Sequence, residues 1–75
     1  FAADIALEAN DRQGLLRDVS ETFTREKINV IAVNTQSKRG TARMRFTVEI
    51  NNASQFSRLL SALHEVKGVT LARRA

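Results

Sequence analysis

The hydrophobic residues of this chain follow two periods, and the order of those periods constrains the fold more than any other feature. The period is two over residues 3–9, 30–37, 41–50 and 69–73, and about 3.6 over residues 15–27 and 56–66. A period of two is typical of a strand with one buried face, and a period of 3.6 is typical of an amphipathic helix. The pattern therefore predicts the order strand, helix, strand, strand, helix, strand.

Glycines stand at three of the predicted boundaries. Gly14 precedes the first helix, Gly40 closes a hairpin between the second and third strands, and Gly68 ends the second helix. Glycine adopts positive φ without a Cβ clash, which suits tight turns and helix ends. Asn52, with Gln55 three residues later, is expected to cap the second helix.

Two strand–helix–strand halves with right-handed crossovers place both helices on the same face of one sheet. We therefore expect an α+β, ferredoxin-like βαββαβ two-layer sandwich with a four-stranded antiparallel sheet. The covered face should carry Ile5, Leu7, Phe46 and Val48 under a first-helix stripe of Leu15, Leu16, Val19 and Phe23.

Length and composition exclude several functions. The 75 residues suffice for one domain, and the chain begins at Phe1, so we expect a piece of a longer protein. The absence of cysteine excludes disulfides, thiolate metal sites, ferredoxins and thiolate copper chaperones, and fits a cytoplasmic location. His64 has no catalytic companions, so we predict no catalytic residues, metal or cofactor, and no apolar segment predicts a membrane span.

The run Asn10-Asp11-Arg12-Gln13-Gly14-Leu15-Leu16 joins the first strand to the first helix. A helix N-terminus presents free N–H groups and a positive dipole end. Such a corner suits the carboxylate of a small ligand or a close contact with a second copy of the domain. The alternative is an Asx turn beside an exposed charge. A regulatory or binding module is therefore predicted, and not an enzyme.

The net charge of +4 favours anionic partners. The exposed sheet face lacks the aromatic residues that stack RNA bases, because Phe46 falls on the covered side. Two interpretations of the basic residues remain: they contact the phosphates of RNA, or they are a basic surface that contacts only water. The candidate RNA-contact residues are Lys38, Arg39, Arg43 and Arg45.

The corner and the later segment Ile28-Asn29-Val30 together resemble the signature of the ACT domain, a small amino-acid-sensing module. The resemblance spans essentially the whole chain. Residues 9–19, together with Val69 to Arg74, are similar to the C-terminal ACT domain of the RelA/SpoT family, stringent-response proteins that make or hydrolyse (p)ppGpp from GTP or GDP and ATP.

This resemblance implies that residues 1–75 form a single ACT domain from the C-terminal regulatory region of a GTP pyrophosphokinase with hydrolase and synthetase domains. It further implies contact with the ribosome and its RNA, in some members a branched-chain amino acid ligand, and a homodimer or packing against other domains of the parent chain.

The resemblance also implies a ligand held between two copies, by the end of the first strand, the corner and an asparagine opening the second strand. Asp11 replaces an asparagine and Ala9 replaces a polar ring, which disfavours serine and favours a branched aliphatic ligand whose ammonium group meets Asp11. The implied ligand-binding residues are Asn10, Asp11, Arg12, Gly14, Leu15, Asn29 and Val33, with an apolar lining from Ala9, Leu15 and Val33.

Three alternatives remain open from the sequence. The chain could be an RNA-contact module, an amino-acid-binding ACT domain of a biosynthetic enzyme, or a purely structural dimerisation domain. Ala9 and Asp11 fit the biosynthetic alternative less well.

Overall fold

The computed structural model describes residues 1–75 and has the six elements in the predicted order. The strands form one antiparallel sheet in the order β2-β3-β1-β4, with both helices on the same face, which confirms the predicted ferredoxin-like sandwich. The elements are β1 (Ala2–Asn10), α1 (Leu15–Arg25), β2 (Asn29–Lys38), β3 (Thr41–Glu49), α2 (Ala53–His64) and β4 (Val69–Arg74).

The core lies between the sheet and the helices. Alternate residues of β1 and β3 are buried, as their period of two predicted. The rings of Phe23 on α1 and Phe46 on β3 lie 4.8 Å apart between centroids, at 57° to each other. This tilted aromatic contact joins the two layers at the middle of the core.

Local hydrogen bonds determine where the helices begin and end. The Asn52 side chain accepts a hydrogen bond from the Gln55 N–H at 2.8 Å, which confirms the predicted cap of α2. Helix α1 was predicted to continue to about Lys27 but ends at Arg25, because Lys27 adopts a left-handed φ of +58°. The Ile28 N–H then donates to the Phe23 carbonyl at 2.9 Å, which closes the helix.

Leu16 is a correction to the predicted core stripe, since 53% of its surface is exposed. Leu15, Val19 and Phe23 contribute the buried stripe of α1, and Leu16 lies on its flank toward β2. Strand β2 is an edge strand whose residues are almost all exposed. The leucine therefore lies beside a part of the sheet that the helices do not cover.

The two chain ends lie toward the same end of the sheet. The Phe1 backbone pairs with Ile50, beyond the last residue of β3, and the Ala75 N–H donates to the Asp4 carbonyl at 2.9 Å. The turn between β1 and α1 lies at the other end of β1. Neither helix is long and apolar enough to cross a membrane.

Candidate ligand-binding site

Three turns meet at one end of the sheet, which we call the glycine end. The Asn10 N–H donates to the Gly68 carbonyl at 2.9 Å, and the Asp11 N–H donates to the Gly40 carbonyl at 2.8 Å. Gly14, Gly40 and Gly68 have φ values of +82°, +78° and +90°. The predicted turns at Gly14 and Gly40 are thus confirmed, and backbone hydrogen bonds fix residues 10–16, the glycine corner, to the two neighbouring turns. The prediction that Gly68 ends the second helix is wrong, because α2 ends at His64 with Glu65 as its C-cap and Gly68 lies in the turn before β4.

The first turn of α1 offers free backbone donors. Gly14 is the N-cap residue and brings no side chain to the cap. The Leu15 N–H donates to the Arg12 carbonyl at 3.2 Å, whereas the N–H groups of Leu16 and Arg17 have no backbone partner. Free N–H groups at the positive end of a helix suit a carboxylate.

Arg12 is occupied within the chain. Its Nε donates to the Lys67 carbonyl at 2.9 Å, its Nη1 to the Gln13 carbonyl at 3.1 Å and its Nη2 to the Asp18 carboxylate at 2.7 Å. The hydrogen bond from Arg12 holds the pKa of Asp18 below its ordinary value. Arg12 therefore shapes the corner by joining it to α1 and to the α2–β4 turn.

The apolar surface near the corner differs from the predicted lining. Ala9 and Leu15 are 1% and 3% exposed and belong to the core, so their side chains offer no surface to a ligand. Val33 is 55% exposed and shares a hollow of about 390 Å³ with Leu16, between α1 and β2. Leu16 and Val33 therefore supply the accessible apolar surface.

Asn29 lies at the opposite end of the sheet. On the sheet, Asn29 of β2 faces Glu49 of β3, and Glu49 faces Ala2 at the start of β1. Asn10 is at the other end of β1, which is the glycine end. The separation is about 26 Å along the strands, from a rise of about 3.3 Å per residue. The Asn29 side chain donates to the Glu49 carboxylate at 2.7 Å. One chain alone thus brings together Asn10, Asp11, Arg12 and Gly14, but not Asn29.

The predicted RNA-contact residues lie at the hairpin and on the outer face, the sheet face away from the helices. Three of them surround a hollow of about 490 Å³, the basic hollow, whereas Arg45 donates to Asp4 at 3.2 Å. Hydrogen bonds from Thr47 and Arg45 lower the pKa of Asp4. The basic hollow is lined by Glu8, Gln36, Lys38, Arg39, Thr41 and Arg43.

Sequence patterns did not single out Gln36 and Thr41 as lining residues. Their placement depends on the pairing of β2 with β3, in which Gln36 faces Arg43 and Thr41 faces Lys38. The hairpin register, once fixed from Arg39-Gly40, would have located both.

The fold and the glycine corner define a class of small regulatory domain, and the profile of the ACT domain family matches residues 1–74. The chain belongs to the ACT domain family. The ACT domain from the GTP pyrophosphokinase of Chlorobium tepidum has the same fold, with a TM-score of 0.90 at 20% identity, covering 100% of this chain and 97% of that one.

Its curated relatives over the whole domain are RelA/SpoT-type enzymes. The chain is 40% identical to GTP pyrophosphokinase of Escherichia coli (strain K12) over 76 residues, covering 99% of this chain and 10% of that protein. It is 32% identical to guanosine-3′,5′-bis(diphosphate) 3′-pyrophosphohydrolase of Aquifex aeolicus (strain VF5) over 74 residues, covering 99% and 11%. The chain thus spans about a tenth of the length of these relatives.

Proposed function

We propose that this ACT domain regulates the catalytic domains of a (p)ppGpp synthetase or hydrolase in the stringent response, with a small amino acid as its input. The relatives that synthesise or hydrolyse such nucleotides support the proposal, since each matches almost the whole chain. The activity of the parent enzyme and its cytoplasmic location belong to the same proposal.

The exposed edge of β2 supports a homodimer. Its outward N–H and C=O groups pair with no other strand, and Leu16, Ile31 and Val33 are each more than half exposed beside it. An open edge with apolar side chains is a template for pairing with another chain. A twofold axis uses the same edge of both copies and closes the assembly at two.

Such a pair would complete the ligand site, and the open edge of β2 with exposed apolar side chains beside it is the observation that carries the proposal. Antiparallel pairing of two β2 strands places Asn29 of the second copy beside Lys38 of the first, at its glycine end. The two groups of ligand-binding residues, which one chain holds at opposite ends, then lie at the same end. The site is incomplete without the second copy.

The composite site suits a branched aliphatic amino acid. The free N–H groups at the start of α1 receive its carboxylate, and the exposed Asp11 carboxylate receives its ammonium group. Leu16 and Val33 offer the apolar contact for its side chain. A pocket with few polar groups and an apolar wall discriminates ligands by shape.

Titration of the ¹⁵N-labelled chain with valine, isoleucine, leucine and serine tests this proposal, with sedimentation measured at the same protein concentration. We expect saturable shifts at residues 10–17 and 29–33 for the branched amino acids, and their loss in Asn29→Ala. Asn51→Ala is the matched control, since Asn51 lies outside the site. A verified dimer without shifts would contradict amino-acid sensing and leave a structural dimerisation domain or the RNA alternative.

Contact with ribosomal RNA is a second candidate function, favoured by the basic hollow at the glycine end. Phosphate contacts there would weaken with salt. The double variant Lys38→Glu with Arg43→Glu should weaken RNA binding. The control is Arg25→Glu with Arg58→Glu, on the helices, which has the same charge change and should leave RNA binding unaltered. Equal binding by both variants would count against this candidate.

A further inference from the structure

The basic hollow is built by three adjacent strands and the hairpin. Glu8, Arg43 and Gln36 form one row across β1, β3 and β2, and Thr41 and Lys38 form part of the next row. Neighbours within a row lie about 5 Å apart, and the rows lie about 7 Å apart. The side chains of Lys38 and Arg43, with Arg39 from the turn, therefore converge on one hollow.

The donors of the hollow are not used within the chain. The ion pairs of the chain are Arg12 with Asp18, Arg17 with Asp18 and Arg45 with Asp4, so none involves Lys38, Arg39 or Arg43. The side chains of Gln36 and Thr41 make no hydrogen bond inside the chain. Glu8 is the one carboxylate in the lining. The hollow thus presents three cations and two neutral donors to solvent.

The backbone at Arg39 adds an independent observation. Arg39 and Gly40 have φ values of +53° and +78°, so both central residues of this two-residue turn are left-handed. Such a type I′ turn favours Asn-Gly, because a Cβ is strained there and the short asparagine amide offsets the strain through local hydrogen bonds, which an arginine does not. An arginine kept in a strained conformation next to unpaired cations points to a role for its guanidinium.

The shape of the hollow favours a compact anion. On the same face Arg45 is neutralised by Asp4, whereas Arg73 of β4 lies in the same row without an ion pair. The basic hollow, however, gathers three cations around one concavity. Its volume of about 490 Å³ also lies in the range of small-molecule sites.

We infer that the basic hollow binds a small phosphate-bearing ligand. Arg39 and Arg43 donate to phosphate oxygens in the forked geometry that guanidinium groups provide, and Lys38 contributes a point charge. Glu8 repels a further negative group at the β1 side and so restricts how the ligand lies. The lining of this site comes from one chain alone, so binding there does not require the proposed dimer.

Titration of the ¹⁵N-labelled chain with inorganic pyrophosphate tests the inference, with inorganic phosphate as the weaker ligand and ionic strength held constant. We expect saturable shifts confined to residues 36–43 and Glu8, with pyrophosphate binding tighter than phosphate. Binding should weaken as salt is raised, because the groups are exposed to solvent.

The variant Arg39→Asn removes a ligand-binding group without disturbing the fold. Asparagine suits the turn, so Tm should stay equal or rise, while pyrophosphate affinity should fall by about tenfold through loss of a charge-assisted contact. Arg43→Gln should weaken binding similarly, and Glu8→Gln should tighten it. Arg58→Gln on α2 removes the same charge far from the hollow and should leave affinity within about twofold.

Two results would overturn the inference. One is the absence of saturable shifts with pyrophosphate; the other is an equal loss of affinity in Arg58→Gln and Arg39→Asn, which indicates diffuse charge attraction. A short RNA duplex identifies the source of the phosphate. If RNA shifts residues 36–43 and pyrophosphate does not, the hollow belongs to the RNA interface; if pyrophosphate competes with RNA, the phosphate site stands.

Discussion

Arg12 and Asp18 form the shortest ion pair of the chain, with 2.7 Å between Nη2 and Oδ2. The same guanidinium donates to the carbonyl of Lys67, which lies 55 residues away in sequence. One side chain therefore couples the first turns of α1 to the turn between α2 and β4. The shape of the glycine corner depends on this coupling.

The lowered pKa values of Asp18 and Asp4 predict how stability depends on pH. A carboxyl whose pKa is depressed by folding stabilises the fold above its unfolded pKa, and that stabilisation is lost as the pH falls through the folded value. The free energy of unfolding should therefore vary little from about pH 7 to 5 and fall below about pH 4. Urea denaturation at several pH values measures it.

Asp18→Asn should lower the urea midpoint at neutral pH, and its difference from the parent chain should shrink in acid. Glu21→Gln on the same helix is the control, because Glu21 makes no ion pair. An unchanged pH dependence in Asp18→Asn would show that the ion pair with Arg12 does not stabilise the fold.

Gly14→Ala should destabilise the chain by about 1–2 kcal/mol, because φ at this position is +82° and a Cβ is strained there. The added Cβ meets the flexible end of Arg17 at 3.4 Å, so the loss comes from the backbone. Gly40→Asn should cost less, since asparagine tolerates this conformation and no atom lies within 4 Å. Chemical denaturation compares them; equal stability of Gly14→Ala and the parent would contradict the strain argument.

Phe46→Ala should cost about 3–5 kcal/mol through the cavity it leaves beside Phe23. Phe1→Ala removes the same ring from a position that is 61% exposed and should change stability by about 0.5 kcal/mol or less. If Phe46→Ala does not fold, Phe46→Leu should still fold with a smaller loss. Similar urea midpoints for both alanine variants would count against the central packing of Phe46.

Val33→Asp should dissociate the proposed dimer, because it places charge in the apolar surface beside β2. Ser61→Asp is the control, since it adds the same charge at an exposed position of α2, away from β2. Sedimentation velocity should show a monomer for Val33→Asp and a dimer for Ser61→Asp. A dimer in both variants would place the interface elsewhere.

The element order and the core could be predicted from sequence because the two hydrophobic periods are unambiguous. Phe46 and Val48 are buried where the alternation of β3 placed them. The same reasoning wrongly placed Leu16 in the core, since helical periodicity identifies an apolar stripe but not how much of that stripe the sheet covers. Its exposure follows from the position of α1 relative to the edge strand.

The candidate site was less predictable because its geometry depends on contacts distant in sequence. Arg12 looked available to a ligand, and only the approach of Lys67 reveals that its donors are used. Asn29 belongs with the corner in the family signature but lies at the far end of the sheet, because β1 and β2 both pair antiparallel with β3 and so run in the same direction. Topology, rather than local pattern, separates them.

The position of Phe1 and Ala75 determines how this domain can be attached to a surface or to a label. Because both chain ends lie toward the end of the sheet away from the glycine corner, a tether at either terminus points the corner and the hairpin outward. A sensor surface carrying the domain by a terminal tag would therefore leave the basic hollow of the same chain open to solution. A fluorophore attached at a terminus would lie at the opposite end of the sheet from that hollow and would not touch it.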